Sequence, residues 1–395
     1  MKIHLSRTKR AVLVKPMARQ VPATTRLYLY VRAGGRCEFD GCNRYLLEHH
    51  LTKTEGNFAQ MAHIWAFSER GPRGGRRPSE KAVHALSNLM LLCPECHKLV
   101  DDRSDEYPAQ VLRKHKKAHE DRVFMLTETK PDRQTVAVVL TARVGGKAVS
   151  VSLPEMQRAV APRYLGPRDV VTIDLTALPD ESAERFWQTG AEAIRSRTRS
   201  LYEQRFESGP VRHVSVFALG PIPLLAYLGS SLSDKVPLTL YQRHRGSESW
   251  KWEGKGEVVS YEFRPLRRGS HAASVALLLS LSGRIRENDL PEEIDDRFTV
   301  YEITLDGVQP TPRFLNVEES LQAFRDVFLR AMRSIVTRHP GLDRLHLFPA
   351  IPAPVAVAVG RDLMPKRDPV IVVYDYDKRA GGFIPALEVN DHERE

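Results

Sequence analysis

The sequence contains four cysteines, and all of them fall in its first quarter as two short-spaced pairs. Four residues separate Cys37 from Cys42, and two separate Cys93 from Cys96. Each pair encloses turn-forming residues, so the two pairs can bring four thiolates around Zn²⁺ in a tetrahedron. Four sulfur ligands leave no position for water, which predicts a structural zinc. Four unrelated buried thiols are the alternative interpretation.

Three further polar residues lie around the second cysteine pair: His63, Asn88 and His97. Their order, within Ala-His-Ile, Ser-Asn-Leu and Cys-His, resembles the zinc-containing branch of the HNH, or ββα-metal, nuclease family near residues 30–125. The resemblance implies that His63, on the first strand of the motif, is the general base. It also implies that Asn88 orients the strand loop or the metal shell, and that His97 binds a catalytic Mg²⁺ or similar divalent ion from the start of a helix. A single histidine is more often structural, so the joint spacing carries this interpretation.

The set of ligands for the catalytic metal is incomplete in the motif itself. Many relatives carry an Asp or His directly before the base, where this chain has Ala62. Asp101 lies four residues after His97, so on a helix the two side chains share a face. Asp101 is therefore the predicted second ligand or its hydrogen-bonding partner, with His49 and His50 as other candidates.

Positive charge is concentrated in the same region. Residues 1–125 contain 23 Lys/Arg and 13 Asp/Glu, whereas the rest of the chain contains 36 of each. A basic head on a neutral body predicts that the head binds nucleic acid, and the resemblance implies double-stranded DNA as substrate. A Gly/Pro-rich loop offers Arg73, Arg76 and Arg77 to phosphates, unless it is a disordered basic insertion. Nothing resembles a base-reading helix, so little sequence specificity is expected.

Length and hydropathy predict several domains and no membrane partner. The predicted division is an HNH endonuclease domain over 1–125, a linker over 126–133 and an α/β region over 134–395, with halves of roughly 134–262 and 263–395. No apolar run approaches the roughly 20 residues that cross a bilayer, and the basic N-terminus lacks a signal-peptide core. We therefore expect a cytoplasmic protein, where clustered cysteines more often bind metal than form disulfides.

The α/β region repeats itself at an offset of 131 residues. The pattern F-x5-P-x5-G-x2-L begins at Phe217 and again at Phe348. Apolar strands precede and follow each copy, and each half carries a long helix, one of them with an apolar stripe from Leu321 to Ile335. These elements predict two Rossmann-like α/β units in tandem, with a ligand pocket between loops beyond the strand carboxyl ends.

This duplication, with its Pro-Ile-Pro and Pro-Ala-Pro loops and a Tyr241…Trp250-Lys-Trp252 hairpin, resembles the SAVED domain. That domain is a fusion of two CARF-like halves and senses cyclic oligonucleotides in bacterial antiphage (CBASS) systems. A SAVED-like body with an HNH-type head resembles the HNH–SAVED effector nucleases. The resemblance implies that a cyclic di- or trinucleotide messenger binds the body and drives self-association, with a tetramer as one candidate. That assembly would activate DNA cleavage by the head.

Residues for the messenger are predicted by side-chain chemistry. The prolines and glycines of 221–229 and 352–360 would present backbone N–H groups to phosphates, aromatic rings would stack on bases, and cations would neutralise phosphates. The candidates are Pro221, Ile222, Pro223, Pro352 and Pro354 in the loops, Trp250, Trp252, Tyr374 and Tyr376 for stacking, and Arg243, Lys378 and Arg379 for charge. Core packing is the alternative for each aromatic residue.

Two other functions compete with a gated nuclease. One is a non-catalytic zinc module that binds nucleic acid and is fused to a regulatory sensor. The other is a restriction-type HNH enzyme whose body recognises modified DNA. The neutral body disfavours the latter, because a DNA reader is usually basic.

Overall fold

The structure is a computed structural model that describes residues 20–68, 70–74, 82–128, 133–144, 147–148, 150–166, 168–178, 185–203, 210–232, 234, 236–254 and 256–391. The chain divides into two compact units, Met1–Thr129 and Lys130–Glu395. Arg76 and Arg77, predicted to bind DNA, lie outside the described residues. Across the described ranges, no helix is both long and apolar enough to cross a membrane.

The first unit is built around a strand–strand–helix core. Its elements are α1 (Ala23–Ala33), β1 (Gln60–His63), β2 (Leu89–Leu92), α2 (Pro94–Asp102) and α3 (Ala109–Thr127). β1 and β2 are antiparallel, and His63 pairs with Leu89. All four residues of β2 are buried, which anchors the hairpin in the core of the unit. α3 continues two residues into the predicted linker, ending at Thr127.

The first half of the second unit has a four-stranded parallel sheet. Its elements are β3 (Val136–Thr141), β4 (Arg143–Val144), β5 (Lys147–Ala148), α4 (Leu153–Val160), β6 (Val170–Asp174), α5 (Phe186–Glu203), β7 (Val214–Leu219), α6 (Ile222–Ser231) and β8 (Leu238–Tyr241). The strand order is β6-β3-β7-β8, and β4 and β5 pair separately. Short Val- and Leu-rich strands with helical crossovers are typical of such sheets.

The second half repeats this sheet and extends it. Its elements are β9 (Tyr261–Arg267), β10 (Val275–Ser280), β11 (Thr299–Leu305), α7 (Glu318–Arg338), β12 (Arg344–Ala350), α8 (Ala353–Arg361), β13 (Val370–Asp377) and β14 (Gly382–Val389). The order is β14-β13-β12-β10-β11-β9. Its four central strands are parallel, and antiparallel β9 and β14 cover the two edges.

The predicted tandem of α/β halves is confirmed by the order of the parallel strands. β11-β10-β12-β13 in the second half follows the same path as β6-β3-β7-β8 in the first. The apolar stripe of α7 is also as predicted, with Leu321, Phe324 and Ile335 buried. The sequence pattern did not predict β9 or β14.

The two repeated glycines join the halves rather than meeting a ligand. Gly229 lies near the end of α6 and Gly360 near the end of α8, and these two helices pack together. A Cβ at Gly360 would overlap the carbonyl oxygen of Ala226, and one at Gly229 would overlap that of Val357. The expected role of these glycines near phosphates is therefore wrong, because their missing side chains let two helix backbones touch.

Candidate active site and ligand cavity

The four cysteines converge in the first unit, as predicted. Their Sγ atoms all lie within 4.8 Å of one another, and Cys42 Sγ is 3.9 Å from Cys93 Sγ. Zinc–sulfur bonds of about 2.3 Å in a tetrahedron place the sulfurs about 3.8 Å apart, so the cluster fits Zn²⁺. No other group of three or more His, Cys, Asp or Glu donors in the described ranges lies close enough to hold a metal.

Local folding explains why the cluster forms. Cys93 is the N-cap of α2, and its sulfur accepts a hydrogen bond from the Cys96 N–H. The Cys93 N–H in turn donates to Cys37 Sγ. Burial raises the pKa of the Cys37 thiol to about 12, so the thiolate needs a bound cation to form at neutral pH. The site is therefore built for a metal that displaces thiol protons.

His63 lies at the end of β1 and faces a second imidazole. Its Nε2 is 3.4 Å from Nδ1 of His84, and both rings pack against Phe67. Burial, and then the neighbouring His84 and His97, lower the pKa of His63. A neutral imidazole can accept a proton, so this environment suits a general base at neutral pH.

Asn88 is a buried clamp between two segments. Its side-chain oxygen accepts from the Trp65 N–H at 2.9 Å, and its amide nitrogen donates to the carbonyls of Trp65 and Val83 at 3.1 and 3.0 Å. Trp65 follows His63 closely in the chain, and Val83 directly precedes His84. Of the two roles predicted for Asn88, these contacts match the one that orients the strand loop.

His97 projects from the first turn of α2 beside an acidic partner. Its Nδ1 is 2.5 Å from Gln60 Oε1, and its Nε2 is 3.4 Å from Asp101 Oδ2. Burial opposes ionisation of Asp101, but hydrogen bonds from His97 and Arg73 lower its pKa overall. An imidazole nitrogen and a carboxylate oxygen this close can bind one divalent ion and leave positions for water and phosphate.

The structure corrects the prediction that Arg73 contacts DNA. Its side chain is 5% exposed, and its guanidinium donates to the carbonyls of Ile64 and Val100 and to Asp101. Guanidinium donors used inside the protein are not available to phosphates. Arg73 instead ties the segment after His63 to α2. Its Gly/Pro-rich surroundings gave no sign of this burial.

Sequence reasoning missed His84. It lies in the turn before β2, four residues ahead of Asn88, and belongs to none of the recognised motifs. Its ring contacts both His63 and Phe67. Only the fold of the loop between β1 and β2 brings it to the site, and no spacing rule predicts such a loop.

The second unit contains a cavity of about 500 Å³ between its two halves. It opens at the carboxyl ends of β7, β8, β10 and β12, where parallel sheets commonly bind ligands. The lining residues are Leu219, Gly220, Ile222, Gln242, Arg243, His244, Arg245, Glu248, Ser282, Pro312, Ile351, Pro352 and Ala353. α6 and α8 both begin at this cavity, and their N-caps, Pro221 and Pro352, make no side-chain cap. Uncapped helix N-termini favour anionic ligands.

Two buried polar atoms in the cavity lining have no hydrogen-bond partner. They are Oε1 of Gln242 and Nε2 of His244. His244 is 6% exposed, and its ring lies 5.7 Å from that of Trp252. A buried polar atom without a partner costs about 1–3 kcal/mol.

The predicted messenger residues divide between cavity and core. Ile222, Arg243 and Pro352 line the cavity. Trp250, 4% exposed, packs edge-on against Phe217, and Tyr374, 5% exposed, stacks on Phe348 at 4.3 Å. The stacking role predicted for Trp250 and Tyr374 is therefore wrong, because the hydrophobic core holds both rings.

The remaining candidates lie beside the cavity or away from its lining. Pro223 and Pro354 are buried in the first turns of α6 and α8. Trp252 donates its indole N–H to the Leu240 carbonyl, which leaves its ring to support His244. Tyr376 packs against Phe383, and Lys378 and Arg379 lie in the turn between β13 and β14. Sequence reasoning missed Gln242 and His244, which flank Arg243.

Fold and site together define a class of protein. A cysteine cluster beside a strand–strand–helix unit with His63, Asn88 and His97 is the arrangement of a ββα-metal nuclease, here joined to duplicated parallel sheets around a cavity. A family model described as HNH endonuclease matches residues 37–104. A second, described as the SMODS-associated and fused to various effectors sensor domain (SAVED), matches residues 194–389. The chain carries both domains, and the predicted HNH–SAVED pairing is confirmed.

Comparison with whole proteins adds distant similarities. No curated protein matches the chain significantly. The Cap4 SAVED/CARF-domain containing receptor of Acinetobacter baumannii, solved with the cyclic trinucleotide 2'3'3'-cAAA, is 14% identical over 74% of this chain and 61% of that one, with a TM-score of 0.44. The Moraxella osloensis Cap4 receptor is 13% identical over 74% and 60%, with a TM-score of 0.38. This chain thus spans about three fifths of the length of those receptors.

Proposed function

We propose that this protein is a metal-dependent endonuclease that cuts double-stranded DNA with little sequence specificity when a cyclic di- or trinucleotide fills the cavity of its second unit. The observation that carries the proposal is the convergence of His63, Asn88 and His97 in an HNH domain that shares its chain with a SAVED domain. The biological role that this pairing supports is antiphage defence.

The nuclease chemistry follows from the residues of the first unit. His63 accepts a proton from water as the water oxygen attacks the phosphorus, and the bond from phosphorus to the leaving oxygen breaks. His97 and Asp101 would hold the divalent ion, Mg²⁺ or a similar metal. When bound, that ion neutralises charge on the scissile phosphate and the leaving oxygen. Asn88 and Arg73 keep the loops around these groups in place.

Zinc has a separate and structural role in this proposal. Four cysteine sulfurs complete a tetrahedral shell, so the metal at Cys37, Cys42, Cys93 and Cys96 would stabilise the unit and take no part in hydrolysis. The described cysteines form no disulfide, which fits a protein of the reducing cytoplasm.

The proposed sensor role rests on the anion-binding and polar groups that line the cavity. Two uncapped helix N-termini and two arginines, Arg243 and Arg245, favour phosphate, and Arg243 also lies 3.6 Å from Glu248. The side chains of Gln242 and His244 also line the cavity, and each would have to turn its buried, unpaired polar atom toward a ligand to contact the edge of a base. This combination of anion-binding and base-reading groups supports a cyclic nucleotide rather than a simple phosphate.

Gating by assembly completes the proposal. A nuclease with little sequence specificity endangers its host unless it is held inactive, and a ligand that strengthens a self-contact can supply that control. We therefore infer that messenger binding drives self-association, with a tetramer as the candidate. Light scattering of the protein with and without messenger measures this step.

The test is cleavage of supercoiled plasmid by the purified protein with Mg²⁺ and a panel of cyclic di- and trinucleotides, beside His63→Ala. We expect cutting with one messenger and a loss of about 10²- to 10⁴-fold in the variant, with zinc content and DNA binding retained. Cutting without any messenger would reject gating. DNA binding without cutting under every condition would favour a non-catalytic zinc module.

A further inference from the structure

We propose that His84 is the positioning residue for the general base: its Nδ1 accepts a hydrogen bond from Nε2–H of His63, so that Nδ1 of His63 faces the attacking water. The inference rests on the proposed nuclease function and assigns a role to a residue outside the His63, Asn88 and His97 motif. Both the hydrogen bond between the two imidazoles and the tautomer of His63 can be measured.

The first support is the geometry of the imidazole pair. His63 Nε2 and His84 Nδ1 are 3.4 Å apart, and the ring centroids are separated by 5.5 Å. Phe67 packs against both rings, with centroids at 6.1 and 5.6 Å, which restricts their rotation. The bond is long, as catalytic hydrogen bonds often are before substrate binds.

The second support is the way both histidines are held. Asn88 binds the backbone of Trp65, two residues after His63, and the carbonyl of Val83, directly before His84. One buried amide therefore fixes the segments that carry the two imidazoles. Three hydrogen bonds from a single side chain make this a rigid spacing rather than a chance approach of two surface rings.

The third support is the chemistry of neutral imidazole. Neutral imidazole has one N–H donor and one acceptor nitrogen, and the partner of one nitrogen decides which is which. With the His63 proton on Nε2, the Nδ1 lone pair receives the proton of water while the water oxygen bonds to phosphorus. The leaving oxygen takes a proton from solvent. The resulting imidazolium is then stabilised by a charge-assisted Nε2–H bond to His84.

Substitutions at His84 separate this role from mere packing. His84→Asn keeps a polar acceptor near the position of Nδ1, whereas His84→Phe keeps the ring volume and loses the acceptor. We expect His84→Phe to lower kcat about 10- to 100-fold, with the KM for plasmid DNA unchanged and the cysteine-bound zinc retained. His84→Asn should recover most of that loss.

The tautomer can be read without any cutting. Long-range ¹H–¹⁵N spectra of the full, zinc-loaded chain labelled at histidine should show the His63 proton on Nε2 in the wild type and in His84→Asn. In His84→Phe, the two His63 tautomers should mix. A wild-type His63 proton on Nδ1 would overturn the inference, whatever the state of the nuclease activity.

The kinetics of the variants distinguish failure of the role of His84 from failure of the proposed nuclease. Full activity in His84→Phe, with His63→Ala inactive, would overturn the role of His84 and leave the proposed nuclease intact. Loss in His84→Phe that raised Mg²⁺ restores would make His84 a metal ligand, and so would also reject the inference. Undiminished cutting by His63→Ala would reject the proposed base itself, while the spectra still report on the His63–His84 bond.

Discussion

The two candidate sites of this chain differ in how completely their polar groups are satisfied. In the first unit, Asn88 and Arg73 each make three hydrogen bonds inside the protein, and they fix the loops around His63 and His97. In the second unit, the cavity lining leaves Oε1 of Gln242 and Nε2 of His244 without partners. The polar groups that hold the first site are satisfied inside the protein, whereas two buried polar atoms of the cavity-lining residues are not.

Under the proposed function, this difference places control in the cavity rather than in the catalytic groups. A preorganised site gains little from further ordering, since its bonds are already formed. A cavity with unmet hydrogen bonds gains free energy only when a matching ligand binds, and so discriminates among ligands. Substitutions in the two units test this contrast, with effects on the stability of the ligand-free protein that decrease from Asn88 to Gln242.

Asn88→Ala should have the largest effect. It removes three hydrogen bonds and leaves the Val83 carbonyl and both Trp65 backbone groups without partners, so we expect a loss of about 3 kcal/mol in the stability of the first unit. Thermal unfolding of the zinc-loaded chain measures it. Asn88→Asp keeps an acceptor for the Trp65 N–H but turns a buried carboxylate oxygen toward the Trp65 and Val83 carbonyls, so it should lose at least as much. Equal stability of Asn88→Ala and wild type would show that the clamp is dispensable.

Gly360→Ala should disrupt the packing of α6 on α8, the two helices that begin at the cavity. Its Cβ would overlap the Ala226 carbonyl in α6, which forces the two halves apart at a cost of about 1–3 kcal/mol. Urea unfolding of the second unit measures the change. Gly283→Ala is the matched control, because a Cβ at Gly283 meets no atom within 4 Å. Unchanged stability in both variants would contradict close packing of α6 on α8.

Arg73→Met should lower stability without changing the salt dependence of DNA binding. The substitution leaves the Ile64 and Val100 carbonyls without their donor, which should lower the free energy of unfolding by about 1–2 kcal/mol. The loss of the ion pair adds little, because the Asp101 carboxylate is partly exposed to water. DNA affinity measured across salt concentrations should keep its slope, which reports the number of phosphate contacts. A reduced slope with unchanged stability would restore Arg73 to the DNA interface.

Gln242→Leu should leave the ligand-free protein as stable as wild type or slightly more stable. It removes a buried acceptor that has no partner, which offsets the loss of the hydrogen bond that Gln242 Nε2 donates to the Arg243 carbonyl. Messenger affinity, measured by calorimetry with the cyclic nucleotide that activates cutting, should fall about 10- to 100-fold. A clear loss of ligand-free stability would mean that Oε1 of Gln242 also has a partner in the protein.

The sequence predicted the helices and strands better than it predicted which side chains contact one another. Periodicity located the parallel strands of both halves, and the spacing of Phe217 and Phe348 predicted the duplication, because buried strands and repeated turns leave local patterns. β9 and β14 were not predicted from the sequence. β9 is at most partly buried along its whole length, and β14 is at most partly buried at all but two of its positions. Such edge strands lack the continuous apolar run of a central strand.

Site residues were predictable where a motif fixes them. The cysteine pairs converge because turns and the start of α2 place them, and these features are local. Arg73 and Trp250 were assigned by residue type alone, and tertiary packing instead buried both. His84, Gln242 and His244 depend on which loops meet in space, and loop paths are not encoded by spacing.

The central claim is that the cavity controls a site already formed, and one activation curve tests it most directly. Plasmid cutting should be followed against the concentration of the activating cyclic nucleotide for wild type, Gln242→Leu and His244→Ala. We expect both variants to need about 10- to 100-fold more messenger and to reach the wild-type rate at saturation. A lower saturating rate with an unchanged midpoint would contradict the account, because the cavity residues would then act on catalysis rather than on ligand binding.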